Sequence, residues 1–118
     1  PYIQYSHARA CSILRKAARK PENAAYELLE EKIEHQIVLD LASFPEAFIE
    51  ATEYLKPNLI ADFANGLADK FNTFYNALPV IKAEPQELSD ARLALVDAVR
   101  IVLKNALNLI GVVAPEKM

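Results

Sequence analysis

The sequence contains very little glycine or cysteine and no tryptophan: its 118 residues include 2 glycines and 1 cysteine. So few glycines argue against a glycine-rich phosphate-binding loop and against a β architecture with many tight turns. A single cysteine, Cys11, excludes an internal disulfide and a zinc site built from several cysteines, which fits a reducing cytoplasm. No apolar run approaches the roughly 18 residues that would indicate a transmembrane helix. We therefore expect a cytoplasmic protein with no membrane segment.

The charged residues are distributed unevenly, although the net charge is only -3. Residues 1–21 hold five basic and no acidic residues, whereas residues 22–69 hold eleven acidic and two basic residues. A polyanion such as RNA would avoid the middle of the chain and could approach its two ends. Charge alone does not distinguish this arrangement from an ordinary solvated surface.

The apolar periodicity and the positions of proline predict five helices, and no strand-like alternation is present. The predicted helices cover about residues 3–20, 22–41, 43–55, 57–78 and 89–110. Ser43 is expected to cap the third helix, with Pro45 in its first turn. The fifth helix is apolar on two faces, which is typical of a central helix. The sequence therefore predicts one all-α domain, a five-helix bundle over residues 1–118.

The residues that usually carry catalysis or bind metals do not form a recognisable pattern. His7 and His35 are far apart in sequence, and neither has a second ligand at helical spacing. The sequence has no P-loop, no HExxH and no GxSxG. We therefore expect no catalytic residue and no metal site in this chain.

Tyr75 and two basic residues of the last helix are candidate RNA contacts. Tyr75 directly follows Phe74 of the apolar stripe and lies near a helix end, where a tyrosine can stack on an unpaired base. The alternative is a tyrosine packed at the rim of the bundle with its hydroxyl in water. Arg100 and Lys104 lie four residues apart and could contact phosphates. Alternatively they form a solvated stripe in which Asp97 neutralises Arg100.

Four stretches of the chain resemble arginyl-tRNA synthetases. Residues 1–17, PYIQYSHARACSILRKA, are similar to the family's PYxQYxHAR…SILRKA segment. Residues 56–59, KPNL, and 71–75, FNTFY, look like its KPH-L…FNxFY helix. Residues 91–100, ARLALVDAVR, resemble the segment that names the DALR domain, with valine for leucine. Residues 102–118 resemble the terminal VLKNGLxLLG…APE(K/R)M. Nearly the whole chain is thus similar to the family's C-terminal anticodon-binding domain.

This resemblance implies a fold and a function. The fold would be the helical bundle of class I aminoacyl-tRNA synthetase anticodon-binding domains. The domain would bind the anticodon loop of arginine tRNA and position it for ATP-dependent arginylation by the catalytic domain of the same polypeptide. ATP and magnesium would be cofactors of that parent, which we expect to be a monomer. No HIGH-like or KMSK-like motif is present and the chain begins at Pro1 without methionine, so we expect a fragment that is not an enzyme alone and holds no cofactor.

The resemblance also implies roles for individual residues. Tyr75 matches a tyrosine that faces the anticodon loop, and Met118 matches a terminal methionine beside the anticodon bases. Gln4 matches a glutamine near the amino-acid pocket of the intact enzyme. Pro79 stands where some members carry a stacking tryptophan, so that contact is in doubt here.

The expected RNA-facing surface therefore combines Tyr75 and Met118 with the basic strip of Arg100 and Lys104, all toward one end or edge of the bundle. A helical protein–protein interaction module with no RNA role is the alternative, and the acidic character of the chain would suit it. Salt-sensitive binding of tRNA would distinguish the two functions.

Overall fold

The computed structural model describes residues 2–111, and in this range it contains four α-helices, one short 3-10 helix and no strand. The elements are α1 (Tyr2–Ala17), the 3-10 helix (Tyr26–Leu28), α2 (Lys32–Glu53), α3 (Pro57–Ala77) and α4 (Gln86–Leu109). The all-α prediction is confirmed. Among these helices, none has a stretch both long and apolar enough to cross a membrane.

The predicted count of five helices is wrong, because the second and third predicted helices are not separate. Most of residues 22–31 is irregular, and α2 begins only at Lys32, where Glu31 and Glu34 form a capping box. The helix then continues through Pro45, which was expected to begin a new one. Ser43 caps nothing, because its hydroxyl donates to the Asp40 carbonyl at 2.8 Å. The helix tolerates the proline because α2 packs along α3, and tertiary contacts outweigh a local propensity.

The four helices form a bundle in which α1 and α2 occupy opposite corners. Both pack against α3 and against α4, and within residues 2–111 they do not pack against each other. Arg19, just after α1, forms an ion pair with Asp90 in the first turns of α4, so α1 and α4 run antiparallel. The α1–α3 side and the α2–α4 side are therefore opposite faces of the bundle.

Helix α4 is the central element, as its two apolar faces predicted. Val96, Val99 and Leu103 are each 0% exposed. The second apolar face is buried only in part, because Leu95 is 5% exposed whereas Leu109, near the helix end, is 46% exposed. Burial of one large aliphatic side chain contributes about 1.5–3 kcal/mol, so α4 supplies much of the core energy.

Candidate nucleic-acid interface

A basic groove, hereafter the α1–α3 groove, follows the side where α1 packs against α3. Its volume is ≈ 410 Å³. It is lined by Tyr5, Ala8, Arg9, Ser12, Ile13, Arg15, Lys16 and Tyr75. The α1 residues share one helix face because they recur at intervals of three and four. Among the described residues the lining includes three cations and no carboxylate, which is the electrostatic character that binds a polyanion.

The most specific contact in this groove is between Arg9 and Tyr75. The Arg9 guanidinium carbon lies 4.2 Å from the centroid of the Tyr75 ring and 5.1 Å from that of Tyr5. Both distances are within the range of a cation–π interaction. Arg9 Nη1 also donates to Asn72 Oδ1 at 2.7 Å, which fixes the plane of the guanidinium. Tyr75 nevertheless remains 40% exposed, so its ring is held in place but accessible.

Asn72 connects this contact to the start of α1. Its Nδ2 donates to Tyr2 Oη and to Ser6 Oγ, each at 2.9 Å. Burial of the Tyr2 hydroxyl raises its pKa above the ordinary value, and the nearby Asp69 carboxylate raises it further, although the bond from Asn72 opposes the shift. Tyr2 therefore stays protonated at neutral pH. The network fixes α3 to α1 one turn before Tyr75, and this positions the tyrosine ring over α1.

Tyr75 also borders a second, more apolar groove at the end of α3. Its volume is ≈ 280 Å³, and its lining includes Lys16, Leu78, Pro79 and Lys82. Pro79 lines this groove together with Tyr75. Some members of the family that the sequence resembles have a tryptophan at this position, and proline offers a smaller surface without a π system. Tyr75 lines both grooves, together with Ile13 and Lys16.

Arg100 and Lys104, predicted to share a surface with Tyr75, line neither groove. Arg100 forms an ion pair with Asp97 at 2.8 Å, the pairing that the sequence offered as an alternative. Ser89 Oγ donates to the Val80 carbonyl at 2.7 Å, so the first turn of α4 is the one near the Tyr75 end. Lys104 is fifteen residues further along α4, about 22 Å of helix at 1.5 Å per residue. The structure therefore does not bring these two cations to Tyr75.

The remaining predicted residues have less structural context. Gln4 is half-buried in the first turn of α1, and its role near an amino-acid pocket stays a prediction. Met118 lies outside the described residues. Within residues 2–111, no group of three or more histidine, cysteine, aspartate or glutamate side chains could hold a metal ion.

Sequence reasoning missed Arg9, Arg15 and Lys16 as neighbours of Tyr75. The signal was present, because these cations recur at helical spacing in a segment that contains no acidic residue. What the sequence lacked was the register between α1 and α3. That register depends on the packing of the two helices and on the contacts of Asn72, which local patterns do not encode.

Comparison with known proteins adds a family. A family model described as "DALR anticodon binding domain" matches residues 3–118. The chain is 48% identical to the arginine–tRNA ligase of Methanosarcina barkeri, over 100% of this chain and 22% of the relative. It is 49% identical to that of Pyrococcus abyssi, over 100% and 19%. The structure of Thermus thermophilus arginyl-tRNA synthetase matches with a TM-score of 0.91 and 40% identity, over 100% of this chain and 21% of that one. The chain thus spans about a fifth of the length of these relatives.

Proposed function

This chain belongs to the DALR anticodon binding domain family, and on that premise we propose that it binds the anticodon loop of arginine tRNA as one domain of a longer arginine–tRNA ligase. The relatives that it matches over its full length are named arginine–tRNA ligases, which supports this assignment. The family model and the relatives give no support to a protein-interaction module without an RNA role.

One observation carries the proposal: the Arg9 guanidinium lies over the Tyr75 ring in a groove whose other charged groups among the described residues, Arg15 and Lys16, are also cationic. RNA loops are recognised through unpaired bases that stack on aromatic rings or on guanidinium planes. We expect an anticodon-loop base to extend the stack on the exposed part of Tyr75. Arg15 and Lys16 would then hold the adjacent phosphates and set the position of the loop.

In the parent enzyme, this domain would hold the tRNA while the catalytic domain of the same polypeptide joins arginine to it. ATP and magnesium would be bound by that catalytic domain. Met118 beside the anticodon bases and Gln4 near the amino-acid pocket are further parts of the proposal. We also propose that the parent enzyme is a monomer and that it acts in the cytoplasm, where tRNA is charged.

Fluorescence anisotropy with a labelled arginine-tRNA anticodon stem-loop tests this function directly. The wild-type chain should bind the loop in a salt-dependent way and bind an anticodon-substituted loop more weakly. Tyr75→Ala should remove most of this discrimination, because loss of a stacking aromatic costs about 1–3 kcal/mol per base. Lys16→Ala should weaken both loops alike and reduce the salt slope by about one unit.

Lys104→Ala provides the matched control, because Lys104 is also an exposed lysine but lies on α4 outside the groove. If the RNA binds in the α1–α3 groove, Lys104→Ala should weaken its binding less than Lys16→Ala does. If the RNA instead contacts Arg100 and Lys104 on α4, Lys104→Ala should weaken binding substantially. Binding that is absent or insensitive to salt would favour the protein-interaction alternative. If Tyr75→Ala discriminated between the two loops as well as wild type does, Tyr75 would only pack at the rim of the bundle and would not contact a base.

A further inference from the structure

An apolar groove lies on the face of the bundle opposite to the α1–α3 groove. We name it the α2–α4 groove; its volume is ≈ 820 Å³, and it runs between the 3-10 helix, α2 and α4. Its apolar lining includes Tyr26, Leu29, Val38, Leu39, Ala94 and Leu95. Tyr26 is 62% exposed, Val38 44% and Leu39 69%, so the described residues leave a contiguous apolar surface uncovered. Such a surface marks an interaction site more often than isolated exposed residues do.

The walls of this groove are fixed by hydrogen bonds. His35 Nε2 donates to the Leu29 carbonyl at 2.6 Å, which ties α2 to the segment after the 3-10 helix. The amide of Ala25 donates to the carbonyl of Glu87 at 3.3 Å, which ties the other end of that segment to α4. The groove is therefore preformed, and a ligand would not have to pay for ordering it.

The charge around the groove identifies the kind of occupant. Glu27 and Glu30 are exposed on its rim, and no lysine or arginine lines it in the described part of the chain. Residues 22–69 as a whole hold eleven acidic and two basic residues. Phosphates would be repelled, so RNA is a poor occupant. A second copy of the same groove would bring like charges together, which disfavours self-association through this face.

We propose that the α2–α4 groove binds an amphipathic helix of a partner protein, and that this helix carries lysine or arginine beside its apolar stripe. Apolar side chains at helical spacing would contact Val38, Leu39 and Leu95, in the manner of other helix-in-groove complexes. The basic residues would pair with Glu27 and Glu30 and would choose the orientation of the helix. Since the groove is opposite to the α1–α3 groove, the partner and an RNA would bind at the same time.

A designed peptide tests the proposal on the 118-residue chain. The probe is a fluorescent amphipathic leucine/lysine helix of about five turns, with a leucine/glutamate helix of the same apolar face as its counterpart. We expect saturable 1:1 binding of the leucine/lysine peptide and at least about tenfold weaker binding of the leucine/glutamate peptide. Leu39→Asp should weaken the leucine/lysine complex about tenfold, because it places a charge in the apolar contact. Glu27→Gln with Glu30→Gln should weaken it several-fold and reduce its salt dependence.

Matched controls lie on the same helix outside the groove. Ile49→Asp changes another exposed apolar residue of α2, and Glu46→Gln with Glu50→Gln removes two exposed charges from it. These variants should bind the peptide like wild type, and circular dichroism should show that Leu39→Asp remains folded. Absent binding, or equal weakening by variants and controls, would overturn the proposal. So would displacement of the peptide by the anticodon stem-loop, or a dimer of the chain that Leu39→Asp abolishes.

Discussion

Arg92 and Glu34 form an ion pair inside the bundle: Nε of Arg92 donates to Oε2 of Glu34 at 2.9 Å, with side-chain exposures of 7% and 0%. Arg92 Nη1 also donates to the Pro79 carbonyl at 3.0 Å, and Glu34 Oε1 accepts the Glu31 amide at 3.2 Å. The pair therefore joins α4 to the first turn of α2 and to the loop after α3. Because both groups also have other hydrogen bonds, the pair fixes how these three segments meet.

Arg92→Met should destabilise the domain by about 3–5 kcal/mol, because it leaves the Glu34 carboxylate buried without its cation. Urea denaturation followed by circular dichroism measures this loss. The double variant Arg92→Met with Glu34→Gln should recover part of it, because the buried charge is then also removed while the amide keeps the acceptor for Glu31. A loss below about 1 kcal/mol, the range of exposed pairs, would mean that solvent reaches the pair.

Pro45→Ala should raise the free energy of unfolding by about 1–2 kcal/mol. A proline inside a helix costs about 3 kcal/mol through its missing N–H and its clash with the preceding turn, and the greater entropy of the unfolded alanine variant offsets part of the gain. Pro45 is exposed, so no packing is lost. Thermal denaturation measures the change. If the variant were less stable than wild type, the bend that proline imposes would be part of how α2 fits α3.

Pro45 also illustrates which parts of the fold the sequence could predict. The all-α class, the extent of α3 and the central position of α4 follow from apolar periodicity, which reflects burial directly. The break at Pro45 was predicted from a local propensity, and the packing of α2 against α3 overrides it. The start of α2 could have been found, because Glu31 and Glu34 have the three-residue spacing of a capping box, although serine or threonine usually occupies the first position.

Leu55→Gly should stabilise the end of α2 by up to about 1 kcal/mol, because glycine adopts a positive φ without the strain of a Cβ atom. Leu55 has φ 53 and is 86% exposed. The amide of Lys56, the next residue, donates to the Ala51 carbonyl at 2.9 Å. This hydrogen bond is that of a Schellman turn, in which glycine normally occupies the position of Leu55. Leu55→Ala serves as the control, since it removes the exposed side chain but keeps the strain. Equal stability of the two variants would contradict the strain argument.

The composition of the α1–α3 groove, the proposed RNA-binding site, was anticipated from the sequence only in part, for a similar reason. Tyr75 was identified from its place beside an apolar stripe and from the resemblance, and it borders the α1–α3 groove. The cations were assigned to Arg100 and Lys104 because spacing within one helix is visible in a sequence. Contacts between helices are not, and the cations of α1 reach Tyr75 only across the interface between α1 and α3.

The contact between Arg9 and Tyr75 gives the last prediction. Arg9→Lys keeps the positive charge but loses the planar group that stacks on the ring and donates to Asn72. Domain stability should fall only slightly, by about 0.5–1 kcal/mol, the size of an exposed cation–π interaction. Binding of the anticodon stem-loop should weaken and discriminate less between anticodons, because the ring of Tyr75 is no longer held. The slope of affinity against salt should stay the same, because the charge of the groove is unchanged.

Arg15→Lys is the matched control for Arg9→Lys, since it makes the same substitution at an exposed residue of the same helix and the same groove. It should leave discrimination between anticodons close to wild type. If Arg9→Lys and Arg15→Lys behaved alike, Arg9 would contribute only charge, and the stack on Tyr75 would have no part in recognition. If Arg9→Lys instead reduced the salt slope, Arg9 would contact a phosphate directly, and an RNA bound in the groove would have to separate it from Tyr75.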